Sequence, residues 1–229
     1  MISRSDALRS VRERMAAAAK ACGRENEHIE LVAVSKFFPV EAIEDVYQTG
    51  QRIFGESRAQ ELRDKIPLLP NDIQWHFIGP LQSNKLRYLI PSCQLIHALD
   101  SRSIANALQK YSKKKQHISR VLVEINSSGE ASKHGFSVDQ AMDAILEICD
   151  LPEIDVVGLM TIGPHTDDIR AIGRAFSTTR QLMENANKHL GQPRLNILSM
   201  GMSADFEIAI REGSTMVRVG SAIFGERRS

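Results

Sequence analysis

Short apolar runs alternate along this chain with longer segments whose apolar residues recur at helical spacing. The runs read as strands are Glu30–Ser35, Arg52–Phe54, Gln74–Ile78, Gln94–His97, Ile118–Ile125, Ile154–Leu159, Leu195–Leu198 and Thr215–Val219. Each is a brief apolar stretch bounded by turn residues. Between them the spacing predicts helices over Val40–Thr49, Ser57–Lys65, Ser83–Ile90, Ser101–Lys114, Val138–Cys149, Asp167–His189 and Ala204–Arg211, and a short last one from Ser221. A charged, alanine-rich helix, Ser3–Cys22, precedes the first strand, and Gly23 is placed to stop it. Asp100-Ser101 and Ser137 stand as helix caps, and Asp167-Asp168 place acids in the first turn of the longest helix. Eight strands alternating with helices predict a single (β/α)8 TIM barrel with an extra N-terminal helix. An open doubly wound sheet competes, but the short connections favour closure. No linker or low-complexity tract interrupts the pattern, so residues 1–229 are expected to form one domain.

Composition removes several function classes. The 29 Lys and Arg balance 28 Asp and Glu, which leaves no polyanion-binding footprint; no nucleic-acid partner is expected. Lys113-Lys114-Lys115 reads as a solvated helix end. Cys22, Cys93 and Cys149 are odd in number, far apart and without Cys/His ligand spacing, so neither a disulfide framework nor a metal site is expected. The first twenty residues carry charges throughout and no apolar run is long enough to span a bilayer. The expectation is a cytoplasmic protein with no membrane association.

The chemistry begins at Lys36, which follows the first apolar strand and leads through Phe37-Phe38 into Pro39. The carboxyl ends of barrel strands are where ligands bind. A lysine there, walled by apolar neighbours, is suited to imine formation, against the alternative of a strand-end lysine that reaches solvent. After the seventh strand comes Ser199-Met200-Gly201-Met202-Ser203, and after the eighth Gly220-Ser221-Ala222, each entering a helix. Small residues and serine hydroxyls at helix starts suit a phosphate, and these two loops are where barrels often hold one. Closure pairs the first strand with the eighth and brings Lys36 to the Gly220-Ser221 turn. That combination points to a phosphorylated aldehyde or ketone: pyridoxal 5′-phosphate (PLP), or the sugar phosphate of a class I aldolase. In Met216-Val217-Arg218-Val219 the valines share one face, and Arg218 faces the barrel interior if they meet the helices. An arginine beside the pyridine nitrogen of PLP would leave it unprotonated and the ring a weak electron sink.

These segments resemble the YggS/PROSC group of pyridoxal phosphate homeostasis proteins over almost the whole chain. The matching motifs are Val32–Lys36, Phe54-Gly55-Glu56, Trp75–Lys85, Gly158–Thr161, Leu198–Glu207 and Met216–Gly225. The resemblance implies a barrel of the alanine-racemase N-terminal type (PLP fold type III), with PLP as cofactor in a Schiff base on Lys36. It implies phosphate binding at Ser199, Gly201, Gly220 and Ser221, Arg218 near the pyridine nitrogen, and Met160 and Met200 lining the pocket, although packing explains a methionine equally well. One departure is Ser57, where the group commonly carries asparagine after Phe-Gly-Glu. His76 reads as a core histidine, and Lys133-His134-Gly135 as a solvated loop that could close over a ligand or pass PLP on.

The resemblance ends at Gly225 without the second domain that racemases and decarboxylases of this barrel type need, and no second acid or base is evident. The expected function is therefore non-catalytic: a monomeric carrier or regulator in the homeostasis of PLP (vitamin B6) and of amino and keto acids. Free amino acids and, transiently, PLP-dependent apoenzymes are its expected partners. A small PLP-dependent amino-acid racemase is the alternative.

Overall fold

The computed structural model describes residues 3–130 and 133–226; residues 1–2, 131–132 and 227–229 of the expected domain lie outside the described residues. Eight parallel strands build the barrel: β1 (Glu30–Val34), β2 (Ile53–Glu56), β3 (Gln74–Phe77), β4 (Leu95–Leu99), β5 (Ser119–Asn126), β6 (Ile154–Thr161), β7 (Ile197–Ser199) and β8 (Met216–Val219). Each pairs with its successor, and β8 returns to β1 with Met216 beside Glu30 and Val219 beside Ala33. The barrel is closed, as the alternating pattern predicts, and the open sheet is excluded. A two-residue strand, Phe136–Ser137, adds to the end of β5.

The helices are α1 (Arg4–Ala21), α2 (Val40–Tyr47), α3 (Ala59–Lys65), α4 (Leu86–Leu89), α5 (Arg102–Lys115), α6 (Val138–Cys149), α7 (Ile169–His189), α8 (Phe206–Arg211) and α9 (Ser221–Phe224). Ser3 caps α1 by accepting from the Asp6 amide, and Gly23 leaves the helix at φ +73°. Three expectations are corrected. Helix α7 begins at Ile169, so the acids precede its first turn; Asp168 is its N-cap and accepts from the Arg170 amide. The segment expected as one helix over Ser83–Ile90 splits into a 3-10 turn, Ser83–Lys85, and the single turn α4, with Pro91 next in the chain. Strand β2 also runs on to Glu56, past Phe54, because Gly55 pairs within the sheet although it carries no side chain to mark a strand.

Two apolar layers hold the barrel. The outer one, between strands and helices, includes Ala33, Phe54, Phe77, Val123, Leu159, Phe176, Phe206, Val217 and Val219, all buried. Burial of this order is the main source of fold stability. The inner one includes Val32, Leu95, Leu122, Val157, Met160 and Met216, with Ile197 against it. Two residues beyond Leu95, Leu122, Ile197 and Met216 stand His97, Glu124, Ser199 and Arg218, all buried. Period-two geometry keeps each pair on one face. The barrel lumen therefore changes from apolar to polar toward the carboxyl ends of the strands.

Strand β6 departs from simple alternation. Val121 and Leu122 of β5 pair with Val156 and Gly158, so Val157 is an extra residue, a β-bulge. Ile154 and Val156 face the helices, and strict alternation from them would send Met160 the same way. The bulge turns Met160 inward. A Cβ at Gly158 would sit 1.9 Å from the Ile197 carbonyl oxygen, so no other residue fits there without moving β7.

Candidate functional site

The pairing of Ala33 with Val219 sets the site's location, because it places the end of β1 beside the turn after β8. A Cβ at Gly220 would lie 3.4 Å from both Cβ and the carbonyl oxygen of Val34, so the small residue lets this turn press against β1. Lys36, half-buried, stands two residues beyond Val34. Phe37, the next residue, has φ +69°, a left-handed conformation that costs a bulky side chain about 1–2 kcal/mol. Its amide donates to Glu61 Oε1 at 2.7 Å, and its ring lies under the Arg58 guanidinium.

The loop after β7 comes to the same place. Gly201 has φ +93°, and a Cβ there would meet Ala209 Cβ at 2.6 Å and Phe206 Cα at 2.8 Å, so the loop lies directly on α8. The Asp205 carboxylate accepts from the Met202 amide at 2.6 Å and holds the turn. Burial pushes the Asp205 carboxyl up, opposed first by that hydrogen bond. Ser203 reaches across to the other loop: its hydroxyl oxygen accepts from the Gly220 and Ala222 amides, each at 3.3 Å. Two backbone amides thus converge on one oxygen acceptor beside Ser221, and oxygens of a phosphate have the acceptor chemistry these donors require.

Below this mouth, Arg218 points inward, as its position between two helix-facing valines predicts. Its Nη1 donates to the carbonyl and hydroxyl oxygens of Ser199 at 2.7 and 2.6 Å, and its Nη2 donates to the Thr161 carbonyl at 3.0 Å. His97 Nδ1 lies 3.0 Å from Ser199 Oγ, and His97 Nε2 lies 3.0 Å from His76 Nδ1. The contacts are consistent with the Ser199 hydroxyl donating to His97 Nδ1 and His97 Nε2–H donating to His76 Nδ1. Burial brings His76 down to about 3, with Arg120 adding to the effect. His97 is held well below its ordinary value by burial, His76 and Arg218. Both rings are neutral near neutrality. Burial lowers Arg218 to about 10, against the opposing charges of Glu124 and Asp205, so it remains a cation. Glu124 is pushed up to about 7, first by burial and then by Asp100, with Arg218 and His134 opposing.

Of the residues singled out from sequence, Lys36, Gly201, Gly220, Ser221 and Arg218 surround one end of the barrel, and Met160 belongs to its inner cluster. The Ser199 hydroxyl is taken up inside the barrel by Arg218 and His97. Met200 stands apart: alternation along β7 turns it outward into the helix-facing core. His76 is a core histidine, as its sequence reading holds, although it lies in the lumen against His97. Lys133 donates to the Gly163 carbonyl at 2.8 Å, and His134 faces Asp100. Ser57 contributes backbone, since a Cβ on Gly79 would strike its carbonyl oxygen at 2.1 Å. Sequence reasoning passed over His97, Glu124 and the Ser203 bridge. The two-residue step from an inward apolar position was the available signal for the first two. Among the described residues no cluster of His, Cys, Asp and Glu is arranged to hold a metal, and no helix is long and apolar enough to cross a membrane.

Comparison with known proteins fits this geometry. Residues 7–228 match the alanine racemase N-terminal domain. A pyridoxal phosphate homeostasis protein of Vibrio cholerae serotype O1 is 42% identical over 216 residues, covering 92% of this chain and 90% of the relative. The structure of PipY from Synechococcus elongatus PCC7942, with PLP bound, superposes with a TM-score of 0.84 at 30% identity, covering 97% of this chain and all of that one (100%). An alanine racemase of Clostridium difficile 630 shares the fold alone, with a TM-score of 0.75 at 19% identity; 98% of this chain covers 57% of that one. The barrel, its loops and these relatives agree, and the chain belongs to the pyridoxal phosphate homeostasis protein family.

Proposed function

We propose that this chain binds PLP covalently through Lys36 and serves to hold and release it, as a regulator of vitamin B6 and of amino and keto acid levels. The observation that carries the reading is the juxtaposition made by barrel closure. The lysine-bearing turn, the Gly220 and Ala222 amides, and the inward guanidinium of Arg218 meet at one end of the lumen. The family name and the PLP-bound PipY structure support the same ligand. When bound, PLP supplies an aldehyde that combines reversibly with amines and a ring able to accept electrons.

The residues divide the work by chemistry. Lys36 provides the amine. Gly201, Gly220 and Ser221, with the Ser203 bridge, hold the phosphate, and Ser199 fixes Arg218 from below. Arg218, a cation held by two carbonyls, presents N–H groups to the ring nitrogen and keeps that nitrogen without a proton. Met160 forms an apolar wall. The protein acts as a monomer in the cytoplasm, and its contacts with apoenzymes are transient. A small amino-acid racemase is the second reading, favoured by one observation: Glu124, an inward carboxyl that titrates near neutrality.

Borohydride reduction of the PLP-loaded protein followed by peptide mapping tests the proposal. The pyridoxyl label is expected on Lys36, and Lys36→Ala should lose both label and visible absorbance. Its stability should change by less than about 1 kcal/mol, because the lysine is half-buried at a strand end. A label on a different lysine overturns the assignment.

A further inference from the structure

Between β1, β2 and α3, on the helix side of the barrel wall, lies a buried polar cluster that the proposed cofactor site does not use. The Lys65 ammonium donates to Glu56 Oε1 and Glu61 Oε1, each at 2.7 Å, and to the Ser35 carbonyl at 3.1 Å. The Ser35 hydroxyl donates to the same Glu56 oxygen at 2.7 Å. Glu61 Oε1 also takes the Phe37 amide at 2.7 Å, and the Phe38 amide closes on the Ser35 carbonyl at 3.1 Å. Residues on both sides of Lys36 are thus tied to one cluster: Ser35 by carbonyl and hydroxyl, Phe37 by its amide.

The cluster is a poor choice if stability were its only role. Glu56 is fully buried, one of its oxygens has no hydrogen-bond partner, and burial pushes its carboxyl up against the pull of Lys65. Buried ion pairs of this kind are often no better for stability than apolar residues of the same volume. They do fix direction, because each oxygen has to meet its donor. What is fixed here is the backbone around Lys36, including a Phe37 conformation that a bulky residue does not adopt unaided. We propose that Glu61, anchored by Lys65 and Glu56, is a positioning residue: it latches the Ser35–Phe37 turn and so sets the direction in which Lys36 presents its amine to the cofactor aldehyde. The proposal rests on Lys36 being the cofactor lysine.

Two substitutions separate a latch from general packing. Glu61→Gln keeps an oxygen acceptor for the Phe37 amide, whereas Glu61→Ala removes it. The side chain of Glu61 is 20% exposed, so neither change opens the barrel core. Three readouts apply: hydrogen exchange of the Phe37 amide without PLP, acylation of Lys36 by acetic anhydride across pH, and the rate at which added PLP becomes borohydride-trapped on Lys36. In Glu61→Ala, Phe37 exchange should rise about tenfold and trapping on Lys36 should slow about tenfold, the loss expected for a hydrogen bond to a charged group. The pH profile of acylation should also shift. Glu61→Gln should restore all three to within about threefold of wild type. If Glu61→Ala fails to fold, Glu61→Asp, which falls one methylene short of the amide, should show the same losses. Wild-type trapping and acylation rates in Glu61→Ala, or a Gln variant as impaired as Ala, would overturn the latch. Absence of label from Lys36 in the wild type would instead overturn the cofactor reading, and the latch is then judged by amide exchange and acylation alone.

Discussion

Glu124 shows most directly what the lumen does to a single side chain. It sits on the inner face of β5, where burial first and then Asp100 push its carboxyl from 4.5 up to about 7 against the pull of Arg218. A raised carboxyl means that the folded chain keeps a proton where the unfolded chain has released it. Stability from this residue is therefore complete below about pH 4.5, falls as pH rises to about 7, and stays reduced above it. At about 1.4 kcal/mol per unit the loss is on the order of 3 kcal/mol, undiminished by solvent because Glu124 is 6% exposed. Glu124→Gln has no charge to bury. Denaturant unfolding of both proteins at pH 4.5 and pH 8 should show the variant gaining on wild type by about 2–3 kcal/mol between the two. An unchanged difference would mean that Glu124 titrates in the ordinary range. The same residue marks the limit of sequence reading at the site. Lys36, Gly201, Gly220, Ser221 and Arg218 were legible because their order along the chain, folded once as a barrel, brings them together. Glu124 and His97 were not, because a polar residue within an apolar strand becomes informative only once the inner face of that strand is known.

Among the elements, α8 and the loop before it show how little space the phosphate-side loops have. Gly201 combines φ +93° with a Cβ position 2.6 Å from Ala209 Cβ, so alanine there meets both backbone strain and the helix surface. Gly191, at φ +67° after α7, has nothing within 4 Å and isolates the backbone cost. Gly191→Ala should cost about 1 kcal/mol and Gly201→Ala about 3, or roughly 2–4 °C against 6–12 °C in thermal midpoint. Equal shifts would show that α8 gives way and that the loop is not wedged. The order of the eight barrel strands and of the helices between them was readable from the alternation of short apolar runs and helical spacing. Three details were not. Gly55 hides the end of β2 because it contributes no side chain to the pattern. Pro91 leaves α4 a single turn where the spacing suggested a longer helix. The bulge at Val157 turns Met160 into the lumen, and a bulge depends on cross-strand pairing that one strand's sequence does not contain.

Among the described residues, Arg218, His76, His97 and Glu124 are buried toward the carboxyl ends of the strands, and their charge states bear on catalysis. Racemisation requires an electron sink for the α-carbon and a positioned acid or base within hydrogen-bond reach. His76 and His97 face each other, and with His76 near 3 and His97 well below its ordinary value they are weak bases at neutral pH. Arg218 is held by Ser199 and Thr161 and stays charged, so on the proposed reading the ring nitrogen takes no proton and the ring remains a poor sink. Glu124 alone among these four titrates in a useful range, and the Coulombic pull of Arg218 acts on it from inside the same lumen. On the proposed reading, binding an amine needs only Lys36 and an accessible aldehyde, whereas moving a proton on and off carbon also needs an aimed acid or base. PLP-loaded protein in deuterated water is therefore expected to exchange the α-proton of alanine or serine far more slowly than the roughly one per second of ordinary enzymes. Exchange at that rate, lost in Lys36→Ala, would replace the carrier by a racemase. Its further loss in Glu124→Gln, with PLP still bound, would identify the carboxyl as the base.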